Sequence, residues 1–317
     1  MTDLLPELRA DIERFFAEFA GTEVFLVRNE GNDGDCLILA STLTAMAKAG
    51  IDVRLVDDQA DFKDRVVFMA GGGNLVGIYQ GMQQSIAACR STAARIVILP
   101  HTLRGNAPLL ESLDSRTTIW CRERRSLDHV TAVNPRIDCR LGHDMAFHCD
   151  AGEFLDDPKC NASGMPLLRS GLERAGVSLG QLAGMPVARL MRTDREARSP
   201  NQKSDLDLSR AFGGVGEAEI SKLRAWCFLK TLSVTQHVVT DRLHVAVGCA
   251  LLGKSCELLD NSYNKNREIY AHSLARFPSI TFTQSGGANI ADQPSSRKPL
   301  LARLAKHARR LTGLARS

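Results

Sequence analysis

An α/β fold with parallel sheets in two successive halves is what this sequence predicts, and three observations predict it. Short β-branched or apolar runs alternate with helix-length segments through residues 24–121. A second series of the same kind begins at Val187. Residues 238–259 then condense the pattern into one unit: Val238–Thr240 reads as a strand, Asp241–Arg242 as a polar turn, Val245–Leu252 as a helix closed by Gly253, and Cys256–Leu259 as the next strand. Strands joined by crossover helices run parallel and bury both faces of their sheet.

The elements follow in order. Leu4–Phe19 has the spacing of an amphipathic helix, and Val24–Val27 that of a buried strand. Asn32-Asp33-Gly34-Asp35 is a turn-rich loop before a helix from Cys36 to about Ala49. Ile51–Val56, Arg65–Met69, Arg95–Leu99 and Thr117–Cys121 read as strands, the third stopping at Pro100. Gly71-Gly72-Gly73-Asn74 is expected as a glycine-rich turn leading into a helix, and Asp144–Phe147 as a strand. Ala151–Asn161 is polar and turn-prone, and Leu167–Ala175 is a bridging helix. Val187–Met191 opens the second strand series, Asp194–Asp207 is a charged loop, and Ile220–Thr231 is a helix. The expected division is residues 1–160, residues 161–296, and a C-terminal helix over 297–317.

Composition excludes several classes. Aromatics make up 5% of the 317 residues, too few for a base-stacking surface, so no nucleic-acid partner is expected. Apolar runs fall far short of the ~20 residues that cross a bilayer. Asp3, Glu7, Asp11, Glu13 and Glu18 argue against a secretory signal, and nine cysteines without a Cys-x-x-Cys pair fit a reduced, cytoplasmic protein. Cys139, His143, Asp144, His148, Cys149 and Asp150 crowd together, but neither zinc-finger nor zincin spacing is present and no metal is expected. The net charge of +4 resides in the tail: residues 297–317 hold seven Lys or Arg and no acid, leaving 33 basic against 36 acidic side chains elsewhere. Leu300, Leu304, Ala308 and Leu311 give that tail an apolar stripe. It suits either docking on the body or peripheral contact with anionic lipid.

Candidate chemistry gathers where strands should end, because α/β sheets bind ligands outside their carboxyl edge. Arg242 and His244 flank a helix start, which suits an anion and a proton transfer; the bland alternative is an ion pair and a helix cap. Arg122, just after a strand, suits bidentate grip of a phosphate, or belongs to a solvated charge run with Arg124 and Arg125. Gly72, Gly73 and Asn74 suit an anion-binding nest, or merely a tight turn. Asp35 is either a base for a sugar hydroxyl or a helix cap, with Asn32 beside it.

Taken together, the segments resemble the polysaccharide pyruvyl transferase family. The matching residues are Asn32-x-Gly34-Asp35, Gly71-Gly72-Gly73-Asn74, Leu99-Pro100-x-Thr102, Arg122-Glu123-x-x-Ser126, Asp144-x-Ala146-Phe147, Arg192-x-Asp194-x-Glu196, Thr240-Asp241-Arg242-Leu243-His244 and Asp260-Asn261-Ser262-Tyr263-Asn264-Lys265. They appear in family order over residues 30 to 270. His101 stands where the family usually has Gln.

The resemblance implies two Rossmann-like domains, as in GT-B glycosyltransferases, with the active site in the cleft. It implies transfer of the enolpyruvyl unit of phosphoenolpyruvate to a sugar of a bacterial exopolysaccharide or its lipid-linked repeat, with a cyclic ketal and phosphate as products. Arg122, Arg242, Leu243 and His244 match the family's donor-binding positions. On this reading His244 is the general acid, Asp35 an acceptor-side base, and Arg122 and Arg242 the anion clamps. Gly72, Gly73, Asn74, Asn32, His101 and Lys265 complete the substrate contacts. No nicotinamide, flavin or nucleotide cofactor is called for. A lipid-linked acceptor further implies a cytoplasmic protein peripheral to the cytoplasmic face of the inner membrane. The alternatives are a GT-B glycosyltransferase using a nucleotide sugar and a non-catalytic glycan-binding protein of the same fold.

Overall fold

The apolar runs do become strands, and their alternation shows why the sheet is buried on both sides. The computed structural model describes residues 4–194, 197, 202–260 and 265–284, Lys265 by its backbone alone. Its strands are β1 (Glu23–Val27), β2 (Asp52–Val56), β3 (Val66–Met69), β4 (Gly72–Leu75), β5 (Arg95–Leu103), β6 (Thr117–Cys121), β7 (Asp138–Leu141), β8 (Ala188–Arg189), β9 (His237–Thr240), β10 (Ser255–Leu259) and β11 (Ile280–Thr283). Among the described residues they form a seven-stranded sheet, β2-β1-β3-β5-β6-β7 with β4 also on β5, and a four-stranded sheet, β11-β10-β9-β8. Every pair is parallel.

Side chains of a strand point alternately to opposite faces. In β1, Val24 and Leu26 enter one core while Phe25 and Val27 enter another; in β5, Val97 and Leu99 oppose Ile96 and Ile98. The first of these cores runs on into the second sheet through Val238, Cys256, Leu258 and Ile280. Its centre is the pairing of helix Asp33–Lys48 with helix Ala218–Ser233, which carries the fully buried Trp226 and Phe228. One of the two cores thus runs continuously across both sheets, and no helix among the described residues is long and apolar enough to cross a membrane.

Four local expectations are corrected. The glycine stretch is not a turn leading into a helix: Gly72–Leu75 is β4, paired with the far end of β5 at Gly72↔His101 and Leu75↔Leu103, and the next helix starts at Gly81. An extended strand has no nest of successive N–H groups, so the anion nest expected of Gly72, Gly73 and Asn74 is not formed. β5 correspondingly does not stop at Pro100 but runs to Leu103, with the register to β6 shifting between Ile98 and His101. Asp144–Phe147 is not a strand: the Asp144 carboxylate accepts from Ala146 N and caps a 3₁₀ turn, Met145–His148. Finally, Ala151–Asn161 is largely helical, because Asp150 and Asp157 each cap a helix and Pro158 takes the first turn, where its missing N–H costs nothing. Arg297–Ser317, with the expected amphipathic helix, lies outside the described residues.

Candidate active site

Four loops at the carboxyl ends of strands converge with one strand residue. Residues 29–35 follow β1, Arg122 follows β6, Asp144 follows β7 and Arg242 follows β9, while Asn74 lies within β4. They enclose a cleft of about 230 Å³ lined by Asn29, Glu30, Gly31, Asn32, Asp35, Gly73, Asn74, Tyr79, Arg122, Arg192, Asp194, Ser209, Arg242, Leu243 and His244. Of the residues singled out from sequence, Asn32, Asp35, Gly73, Asn74, Arg122, Arg242, Leu243 and His244 meet there. Gly72 and His101 lie behind the wall, and the side chain of Lys265 is outside the described structure.

Arg122 is not part of a solvated charge run. It is 1% exposed, with Nε donating to Thr102 Oγ1 at 2.9 Å and Nη1 to Asp144 Oδ2 at 2.6 Å, while Arg124 and Arg125 face solvent. The Asp144 oxygen that holds Arg122 also lies 3.6 Å from His244 Nε2. Burial by itself would raise the Asp144 pKa. The imidazole of His244 and the guanidinium of Arg122 outweigh it and hold the carboxyl well below the usual range.

Arg242 occupies the N-cap position of helix Leu243–Leu252 and is equally buried. Asp207 takes its fork, with Nε–Oδ1 at 3.0 Å and Nη2–Oδ2 at 2.6 Å, and Asp194 Oδ2 lies 2.8 Å from Nη1. Asp194 also accepts from Arg192 Nε, so one carboxylate lies between two arginines at the cleft wall. An incoming anion therefore meets Arg242 in competition with Asp194, which is 29% exposed, rather than with the buried Asp207.

On the opposite wall, Asn74 donates to Asn29 Oδ1 and accepts from His101 Nε2 at 2.8 Å. His101 is fully buried and reaches the cleft through Asn74. Gly72 has φ +154°, and a Cβ there would lie 2.4 Å from Asn29 Nδ2, so a side chain would break this amide network. Asp35 is the third residue of helix Asp33–Lys48, not a loop residue. Its Oδ2 accepts from Asn32 N at 2.8 Å and the Asn32 side chain accepts from Gly34 N, a capping box that fixes both at the rim.

A model of the polysaccharide pyruvyl transferase family matches residues 32–263, most of the chain and all of the cleft-lining loops beyond Gly31. The chain belongs to the polysaccharide pyruvyl transferase family. It is accordingly an enzyme, a pyruvyl transferase acting in polysaccharide chemistry. Among solved structures, an uncharacterised protein of Klebsiella pneumoniae subsp. pneumoniae NTUH-K2044 is similar at 23% identity with a TM-score of 0.70, over 87% of this chain and 98% of that one, a likeness of fold. No curated protein matches the chain.

The cleft of this pyruvyl transferase holds residues that the sequence did not single out. Asn29, Glu30, Tyr79, Arg192, Asp194 and Ser209 line it and carry no role assigned from sequence; Asp144, just behind it, stands in the sequence only in a family-like motif and in a cluster without metal-ligand spacing. Arg192 and Asp194 had a signal, since both stand in the family-like Arg192-x-Asp194-x-Glu196 segment. Tyr79 had none, being a lone aromatic in a loop.

Proposed function

We propose that this pyruvyl transferase takes its pyruvyl group from phosphoenolpyruvate and delivers it to two hydroxyls of one sugar in a bacterial exopolysaccharide or its lipid-linked repeat, forming a ketal and releasing phosphate. The observation that supports this is the convergence of two buried arginines and one histidine, Arg122, Arg242 and His244, from both sheets onto one cleft. A small polyanion needs guanidinium groups, and an enol ether reacts only after its methylene carbon is protonated.

In this reading residues 1–160 and 161–296 supply the two lobes. Arg122 and Arg242 hold the carboxylate and phosphate. His244 gives a proton to carbon three, leaving an oxocarbenium-like centre at carbon two. A sugar hydroxyl adds there and loses its proton to Asp35. Phosphate departs with the proton held by Asp35 and regenerates the cationic centre, and the second hydroxyl closes the ring and returns its proton to His244. Gly73, Asn74 and Asn32 face the acceptor, with Gly72 and His101 supporting them from behind; Lys265 is assigned as a further substrate contact from its sequence motif alone. The basic tail would bring the enzyme to an anionic membrane bearing the lipid-linked acceptor.

The test is phosphate release from phosphoenolpyruvate with extracted lipid-linked oligosaccharides as acceptor. Acceptor-dependent phosphate, with pyruvate in acid-labile linkage, is the expected result. Turnover of a nucleotide sugar with no consumption of phosphoenolpyruvate would overturn the reading.

A further inference from the structure

We infer that Asp144 is the positioning residue of this site, the carboxylate that orients the imidazole of His244 while anchoring Arg122. The inference rests on the reading of His244 as the proton donor. Asp144 is completely buried, and its own rotamer is fixed because Oδ1 accepts from Ala146 N at 2.9 Å. That cap leaves Oδ2 to face two groups at once: Arg122 Nη1 at 2.6 Å and His244 Nε2 at 3.6 Å. His244 Nε2 is buried and has no hydrogen-bond partner in the resting geometry. A buried ring nitrogen does not go unpaired without cost, and a small turn of the ring brings it within bonding distance of Oδ2.

The consequence is chemical. An acceptor on the Nε2 side keeps the proton of the neutral ring on Nε2 and directs the other nitrogen, Nδ1, to the cleft that His244 lines. The same carboxylate gives the ring a fixed partner while a proton is delivered, the role a third group has in any oriented acid–base pair. Arg122 meanwhile keeps Asp144 ionised, as the depressed carboxyl described above requires. Arg122 and His244 come from β6 and from the helix after β9, so Asp144 joins the two sheets at the reacting centre.

The test is a double-mutant cycle with a substrate-free readout beside it. Asp144→Asn, His244→Gln and the double variant are assayed for phosphate release after melting curves establish that each is folded. Asp144→Asn is expected to lower kcat about 10- to 100-fold, less than the loss of the acid itself, and, because Arg122 leans on the same carboxylate, to raise KM for phosphoenolpyruvate as well. In the His244→Gln background the same change should cost under about threefold, because residues acting as one unit are not additive. Independent, multiplying losses, or a loss confined to KM, would show that Asp144 serves Arg122 alone and would overturn the inference. If Asp144→Asn does not fold, Asp144→Glu, which keeps the charge and displaces the oxygen by one methylene, takes its place in the cycle. Nitrogen-15 spectra of the ring, assigned with His244→Gln, need no substrate. Nε2–H in the wild type, lost from dominance in the Asp144 variant, is expected; an Nδ1–H wild type, or an unchanged spectrum in the variant, would overturn it. A fully active His244→Gln would instead sink the role of His244 while leaving the spectra to decide the contact.

Discussion

Gly34 lies against the face of His244: a Cβ at position 34 would stand 2.5 Å from Nδ1 and 2.7 Å from the His244 Cβ. No real contact is that short, and Gly34 is held in the first turn of its helix by its N–H bond to Asn32 Oδ1 at 2.8 Å. Turning the ring relieves the Nδ1 contact but not the Cβ contact, so the two helices must also shift apart. Gly34→Ala is expected to lower the melting temperature by several degrees and kcat on the order of 10²-fold, since misplacing a catalytic group by about 1 Å costs roughly that much. Steady-state kinetics beside a thermal melt checks it. A variant with full kcat would mean that the ring is free to move and that its pose does not matter to catalysis.

The two arginines should respond differently to Lys. Arg122→Lys loses the bond to either Thr102 or Asp144 but keeps a charge in the wall, so the main effect is on donor affinity, about tenfold to hundredfold in Kd. Arg242→Lys also gives up the two-point grip on Asp207 that ties the 192–207 segment to the helix start. It should lower the melting temperature by several degrees as well as weaken donor binding. Calorimetry with phosphoenolpyruvate and differential scanning on both variants separate the two effects. Equal stability losses would contradict the distinction.

Asp194 competes with any anion for Arg242 and Arg192. Asp194→Asn removes a negative charge from the wall and leaves a group of the same shape. Donor affinity is expected to rise by several fold, with the gain shrinking in high salt. Weaker binding in the variant would mean that Asp194 holds the two guanidiniums in their binding pose instead of opposing the ligand.

Asp33 ties the first helix of the site to the second half of the chain, accepting from Phe212 N and Gly214 N at 2.7 Å each. Burial pushes its carboxyl up to about 6 despite these two bonds. Asp33→Ala leaves two amide groups without their acceptor, at about 1–3 kcal/mol each. Urea denaturation should show a loss of that order with little change in the cooperativity of unfolding. A neutral effect would mean that water replaces the carboxylate.

Acid should loosen the contact between Gly142–His143 and the helix Lys265–His272. The His143 and His272 rings stack at 4.4 Å, with His143 Nδ1 on Ser273 Oγ and His272 Nε2 donating to Gly142 O. Burial, then the charges of His272 and Arg276, push His143 down to about 4, with Asp11 acting weakly in the other direction. His272 is lowered too, first by burial. A depressed histidine contributes stability that is complete above its ordinary value near 6.5 and is lost as pH falls through the folded value, at up to about 1.4 kcal/mol per pH unit per proton. Asp33, raised to about 6, acts oppositely between about 4 and 6. The decisive quantity is therefore the difference between wild type and His143→Gln, whose stability should fall less between pH 6.5 and 4. Parallel curves would refute the assignment.

The division between sequence and tertiary structure follows the range of the forces involved. Periodicity and breakers are local, so the strand Val24–Val27 and the helix Val245–Leu252, ended by Gly253 at φ 64°, were readable from the chain alone, as were the ordered motifs that place it in its family. Asn32, Asp35, Arg122, Arg242, Leu243 and His244 were legible for the same reason: each stands beside a strand end that the local pattern already marks. β4 was not, because Gly72–Leu75 has no strand propensity of its own and is extended only because β5 offers it an edge beyond Pro100. Nor was Asp144, whose partners Arg122 and His244 lie 22 and 100 positions away, nor the occupation of Arg242 by Asp207 and Asp194. A charge's partner is chosen by which strand ends a twisted parallel sheet brings together, and that is decided only when the core has formed.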